Sequence, residues 1–180
     1  LNRNNPDPDD GAHPDGYNYQ PETNIFMQAA REHSFDLALN IHGGAEVFNY
    51  PWDTYHDRHA DTEWWQRVSR DFASRAQAAS NRSGYFNDRL NGITNGHDWF
   101  NFSGSSQYYM NYYHRCREAT LEVSNRKQFP AEDLPRLWSY VSPALLGFLG
   151  EGRLGLHGVV TDRATGRPLP LALSGGSTPQ

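Results

Sequence analysis

Three places in this sequence carry side chains whose type and setting could do chemistry. The first is His42, at the end of "LALNIH" and just before Gly43 and Gly44. In an extended strand it shares a face with Ala38 and Asn40, while Leu37, Leu39 and Ile41 point the other way. Such a strand delivers an imidazole to one side of a sheet, and the glycines leave room for backbone or substrate to approach. This histidine can ligate a metal, or it can be a hydrogen-bonded residue at a strand end; both readings are open. The second is Glu122, in "EATLEVS", on the face opposite Ala119, Leu121 and Val123. A carboxyl group among apolar neighbours resists ionisation and suits a general acid or base. The alternative is a strand with one solvated face made of Thr120, Glu122 and Ser124. The third is Asn2 with Arg3, because a guanidinium pairs bidentately with a carboxylate and an adjacent amide adds a donor.

Fainter signals surround these. "HDRH" (His56 and His59) has the look of a metal pair, but its ordinary reading is a solvated surface. "DPDDG" is a loop with the acidity of a calcium site and not its register. "NRS" at 81 and "NFS" at 101 fit the glycosylation sequon, a pattern common by chance.

The elements that must position these groups follow from punctuation and periodicity. Residues 4–20, rich in Pro, Asp, Asn and Gly, predict a surface loop. Pro21 with Glu22 marks a helix start. Asp36 to His42 and Val47 to Tyr50 read as strands. Trp64, Trp65, Val68, Phe72, Ala76 and Ala79 recur at helical spacing within 60–80, and "SNRSG" ends that helix. Residues 81–104 read as loop, Glu118 to Ser124 as a strand, and Leu134 to Leu149 as an apolar helix interrupted by Pro143. "LHGVVT" and Leu169 to Leu173 flank "DRATGRP", a hairpin signature. Alternating strands and helices to residue 150 predict an α/β sheet, with the beginning of a separate all-β module after it.

Bulk composition narrows the partners. The chain has 180 residues, of which 37% are hydrophobic and 13% aromatic, and its mean hydropathy is −0.82. Aromatic rings must therefore supply much of the core, alongside a large polar surface or cleft. A net charge of −5 with no basic tract argues against nucleic acid or an anionic membrane surface as partners. No apolar stretch is long enough to span a bilayer. The single cysteine, Cys116, rules out an internal disulfide framework. The opening "LNRNNPD" predicts that the chain is cut from something longer.

The motifs also occur in a fixed order: "LNRN", "QPET", "LNIHGGAEVFNYPWD", "NGHDWF", "SGSSQYY", "CREATLEVSNRKQFP" and "GLHGVVTDRATGRPL". The HGG histidine lies eleven residues before an aspartate, and the LE glutamate twenty-two after Phe100. Together these resemble the zinc metallocarboxypeptidases of the M14 family, specifically the regulatory subfamily of carboxypeptidases N, E and D and their bacterial relatives. The resemblance implies a mixed β-sheet flanked by helices over residues 1–153, incomplete at its N-terminus. Residues 154–180 would then begin a transthyretin-like β-sandwich, of which only a first hairpin is present. It implies a zinc-dependent exopeptidase that removes C-terminal residues, with His42 as one metal ligand and Glu122 as the general base. The partner ligands, a His-x-x-Glu pair, are expected upstream, since that pattern occurs nowhere in the sequence. Asn2 and Arg3 would grip the substrate's terminal carboxylate, and Asp53 and Gln107 would receive a basic side chain. Peptide or protein C-termini are the implied partners, a monomer the implied state, and the extracellular space or periplasm the implied setting. Three positions depart from the pattern: Phe100 stands where a substrate-binding tyrosine is usual, Ser105 for a glycine, and Tyr108 for an aspartate. These keep a weakened or inactive peptide-binding homologue as the alternative, with Tyr108 or Tyr109 as sources of a replacement hydroxyl.

Overall fold

The computed structural model describes residues 2–155 and 159–168. A four-stranded sheet in the order β1-β4-β2-β3 forms its centre. β1 (Leu37–His42) and β4 (Arg117–Ser124) run parallel, β2 (Ala45–Tyr50) runs antiparallel to β4, and β3 (Ile93–Asn95) pairs parallel with β2. β4 is thus inserted between two strands that are adjacent in sequence. The chain from β1 to β2 has to pass over the end of β4, and this explains the glycine pair. Gly44 adopts φ +136° and its N–H donates to the Ser124 carbonyl at 2.7 Å. A Cβ on Gly43 would lie 2.6 Å from the Arg126 carbonyl oxygen. The glycines therefore clear a path for backbone, the first of the two roles that the sequence leaves open for them.

Helices cover both faces. α2 (Thr62–Ser80) buries Trp65, Val68, Phe72, Ala73 and Ala76, and α6 (Leu134–Glu151) buries Leu137, Val141, Ala144 and Phe148. These stripes meet Phe48, Ala119 and Leu121 of the sheet in the main core. Each fully buried large apolar side chain there contributes roughly 1.5–3 kcal/mol. On the other face, Met27 and Ala30 of α1 (Pro21–Glu32) pack with Tyr109 and Met110 of α5 (Ser106–His114) and with Cys116.

Several local expectations are revised. α6 continues through Pro143, where both the proline and Ser139, four residues before it, are exposed, so the missing hydrogen bond falls on the solvent side of the helix. The region 81–104 is not all loop: it holds the turn α3 (Asp88–Asn91), β3 and the short helix α4 (Gly96–Trp99). α5 was not foreseen at all, since "QYYMNYYH" has no apolar period. Its start signal is Ser105, whose Oγ accepts a hydrogen bond from the Tyr108 N–H at 3.0 Å. Ser105→Ala is expected to cost about 1 kcal/mol, the usual value of an N-cap, read as a lowered thermal midpoint.

Of the C-terminal hairpin, Thr161 and Pro168 form an antiparallel bridge around the Asp162 turn. There the Asp162 Oδ1 accepts from the N–H groups of Ala164 at 3.0 Å and Thr165 at 2.7 Å. Of the flanking strands expected over 156–161 and 169–173, residues 156–158 and 169–173 lie outside the described residues, while Val159 and Val160 are exposed and form no strand. No helix among the described residues is long and apolar enough to cross a membrane.

Candidate active site

The parallel register sets His42 directly beside Glu122, Asn40 beside Thr120, and Ala38 beside Glu118. All six point to the face opposite Leu121 and Ala119, so strand parity alone builds a polar row across two strands. The His42 Nδ1 lies 3.8 Å from the Glu122 Oε1. Burial, then the nearby Arg3 charge, lowers the His42 pKa and favours the neutral imidazole. Burial raises the Glu122 pKa, partly offset by the Lys127 ammonium. The second carboxyl oxygen, Oε2, is buried with no hydrogen-bond partner. The idea of a solvated face on β4 is therefore overturned, since Glu118, Thr120 and Ser124 on the same side are buried too.

Beside this pair opens a cavity of about 260 Å³, lined by Asn2, Arg3, His42, Asn49, Trp99, Phe100, Phe102, Thr120 and Glu122. Five of the seven sequence-derived site residues thus meet at one opening: Asn2, Arg3, His42, Phe100 and Glu122. Phe100 is 59% exposed at its rim. The Arg3 guanidinium donates through Nη1 to the Asn2 carbonyl at 2.6 Å and stacks on Phe102, its Cζ 3.3 Å from the ring centroid. Among the described residues it has no carboxylate within ion-pair distance.

Asp53 and Gln107 are not in the cavity wall. They lie beneath it, buried and joined: the Gln107 Nε2 donates to the Asp53 Oδ1 at 3.4 Å, and the Asn49 Nδ2 donates to the same oxygen at 3.0 Å. Burial pushes the Asp53 pKa up to about 6, against hydrogen bonds from Asn49 and Ser105 that lower it. Three oxygens of this cluster have no donor: Asp53 Oδ2, Asn49 Oδ1 and Gln107 Oε1. Glu118 lies nearby, its Oε1 accepting from the Ser106 Oγ at 2.7 Å, and burial pushes its pKa up to about 7.

Other candidates fall away. Tyr108 is buried, its ring 4.8 Å from Trp52 and 5.2 Å from Tyr55, and Tyr109 belongs to the second core. Neither lines the cavity, so neither supplies a hydroxyl there. His56 is exposed as expected, but His59 is partly buried, its ring 4.7 Å from Trp52. The acidic loop is a structural knot: Asp7 accepts from the N–H groups of Asp9 and Asp10 and from the Thr54 hydroxyl. Sequence reasoning missed Asn49, Trp99 and Phe102. Trp99 and Phe102 flank the Phe100 position already under suspicion, and this proximity was the available signal.

A zinc ion fits what is present here in part. A neutral imidazole is the form that ligates metal, and a carboxyl oxygen with no donor beside it suits proton exchange with a bound water. Among the described residues no group of three His, Cys, Asp or Glu side chains could hold a metal by itself.

Comparison with known proteins identifies the family. A family model described as zinc carboxypeptidase (peptidase M14) matches residues 2–142. Carboxypeptidase M of Mus musculus is 34% identical over 94% of this chain and 40% of its own length. The catalytic chain of carboxypeptidase N from Rattus norvegicus is 35% identical over 83% of this chain and 36% of its own. Carboxypeptidase D of Anas platyrhynchos is 31% identical over 94% of this chain and 13% of its own. The chain thus spans well under half of the length of each of these relatives. The crystal structure of carboxypeptidase A from Helicoverpa armigera aligns with a TM-score of 0.58 at 14% identity, over 81% of this chain and 38% of that one, and supports the mixed sheet flanked by helices. The chain belongs to the zinc carboxypeptidase family.

Proposed function

We propose that this chain carries the carboxylate grip, the general base and one metal ligand of a zinc-dependent exopeptidase acting on peptide or protein C-termini, with preference for terminal Lys or Arg. The observation that carries the reading is Arg3. A partly buried guanidinium that lines a cavity and has no carboxylate partner among the described residues is set to receive one from a ligand. Asn2 lies beside it in the same wall.

His42 is the donor that the described residues offer to zinc. When bound, the metal lowers the pKa of a water and polarises the scissile carbonyl. Glu122 is placed to take a proton from an attacking water and would return it to the departing amine. Its raised pKa suits this traffic, because a carboxyl brought nearer to neutrality is a stronger base towards water and still gives the proton up in the second half. Arg3 fixes the terminal carboxylate, so that only the last peptide bond reaches Glu122. Assigning residues 1–153 to the catalytic domain and 154–180 to the start of a transthyretin-like module belongs to the same reading, as does an extracellular or periplasmic setting.

Preference for a basic end rests on the three unpaired oxygens around Asp53. All three are acceptors, and a guanidinium or ammonium brings several donors with a positive charge. Asp53→Asn removes the charge and keeps the shape. In the full-length gene product it is expected to lower kcat/KM on a peptide ending in Arg by 10- to 100-fold, the worth of one charge-assisted hydrogen bond. The same peptide ending in Leu should be turned over no more slowly than before. An unchanged ratio of Arg to Leu would remove Asp53 from the specificity pocket.

A further inference from the structure

We propose that Phe102 is a positioning residue for Arg3, holding the guanidinium by its face so that the N–H groups not given to the Asn2 carbonyl stay free for a carboxylate. The inference rests on the reading of Arg3 given above. The guanidinium carbon stands 3.3 Å from the Phe102 ring centroid and 5.8 Å from that of Phe100, and the two rings are 5.8 Å apart. Arginine has five N–H donors, all in the plane of the group. Holding it with a protein carboxylate would consume the fork that must meet the substrate. An aromatic face attracts the cation from above and takes no in-plane donor. It therefore orients the charge without neutralising it.

Phe102 can do this because its own backbone is anchored. Its carbonyl accepts from the Thr54 hydroxyl at 3.0 Å, and the same hydroxyl donates to the Asp7 Oδ2 at 3.2 Å. Two residues on, the Gly104 carbonyl accepts from the Asn5 N–H at 3.1 Å and from its Nδ2 at 3.2 Å. A Cβ on Gly104, where φ is +79°, would lie 2.3 Å from the Arg3 carbonyl oxygen. The segment bearing the ring and the segment bearing the guanidinium are thus seated directly on each other. Asp7, Thr54 and Gly104 have no chemistry at the cavity, and this alignment gives them a role.

The test measures affinity for a peptide with a free C-terminal carboxylate against the same peptide amidated at its C-terminus. Calorimetry on the full-length gene product carrying Glu122→Gln, so that the peptide survives, supplies the numbers. Phe102→Leu keeps apolar bulk and removes the π face; it should lower the acid-over-amide preference about tenfold, with amide affinity unchanged. Phe102→Tyr should retain the preference. A Phe102→Leu protein with the parental preference overturns the proposal, and so does an equal loss for acid and amide, which would mean packing alone. If the parent itself shows no preference for the acid, the carboxylate grip fails, and the proposal with it.

Discussion

Replacing Glu122 by glutamine is expected to lower kcat/KM of the full-length gene product by about a thousandfold while peptide affinity is kept. The size follows from the role. A positioned acid–base group contributes roughly 10²- to 10⁴-fold, and Glu122 would serve in both the attack and the departure of the amine. Glutamine preserves volume and can still accept a hydrogen bond, so the cavity beside His42 keeps its shape. What is lost is the ability to carry a proton. The geometry gives the carboxyl little else to do: one oxygen is 3.8 Å from His42 and the other is buried without a donor. A purely structural glutamate would have its oxygens occupied, as those of Asp7 are. Steady-state kinetics on a peptide ending in Arg, with binding measured separately, checks both halves. Loss below tenfold would leave Glu122 a bystander.

The departures at Phe100, Ser105 and Tyr108 acquire separate meanings. Ser105 caps α5 and so maintains the helix that carries Gln107. Tyr108 fills the space between Trp52 and Tyr55, away from the cavity. Of the three, Phe100 alone lines the cavity, where it offers a ring and no hydroxyl. A missing hydrogen bond to a charged group costs roughly 1.5–3 kcal/mol, enough to slow turnover and too little to abolish it. The weakened-homologue reading therefore hangs on one residue instead of three.

Much of the site could be read before the fold because strand parity and motif order are local. The faces of His42 and Glu122 follow from alternation along each strand, and the glycine pair marked a place of close approach. What could not be read is everything that joins distant segments. Nothing in "LALNIH" and "REATLEVS" says that they pair in parallel with residue 42 opposite 122; that register is fixed only when β4 slides between β1 and β2. Likewise, Gln107 meets Asp53 across 54 residues because an unforeseen helix presents it. The stack of Arg3 on Phe102 joins the start of the described chain to a loop in its middle. Aromatic content announced that rings would fill the core, but not that one of them would hold a cation.

Glu118→Gln is expected to leave stability unchanged near pH 4 and to raise it by about 3 kcal/mol at pH 8.5. The Glu118 carboxyl is 3% exposed, and burial raises its pKa from an ordinary 4.5 to about 7, with the Asp53 charge pushing the same way and the Ser106 hydroxyl opposing. A group that binds its proton more tightly when folded stabilises the fold fully below its unfolded pKa. That stabilisation drains away as pH rises through the folded value. A rise from 4.5 to about 7 is worth about 3 kcal/mol. Asp53, moved from 3.8 to about 6, drains a similar amount over a slightly lower range. Glutamine mimics the protonated form at every pH and keeps an oxygen for Ser106, so the variant escapes the loss. His42 and His59, whose pKa values burial lowers, oppose the trend on the acid side, but they act in parent and variant alike and cancel in the difference. Urea unfolding of both proteins at the two pH values decides the matter. Equal stability at pH 8.5 would mean that Glu118 ionises without penalty, which a carboxyl so enclosed can do only with a cation at its side. Two buried acids that destabilise the resting fold are poor structural choices. Under the proposed preference for a terminal Lys or Arg, the positive charge of the substrate would offset that cost.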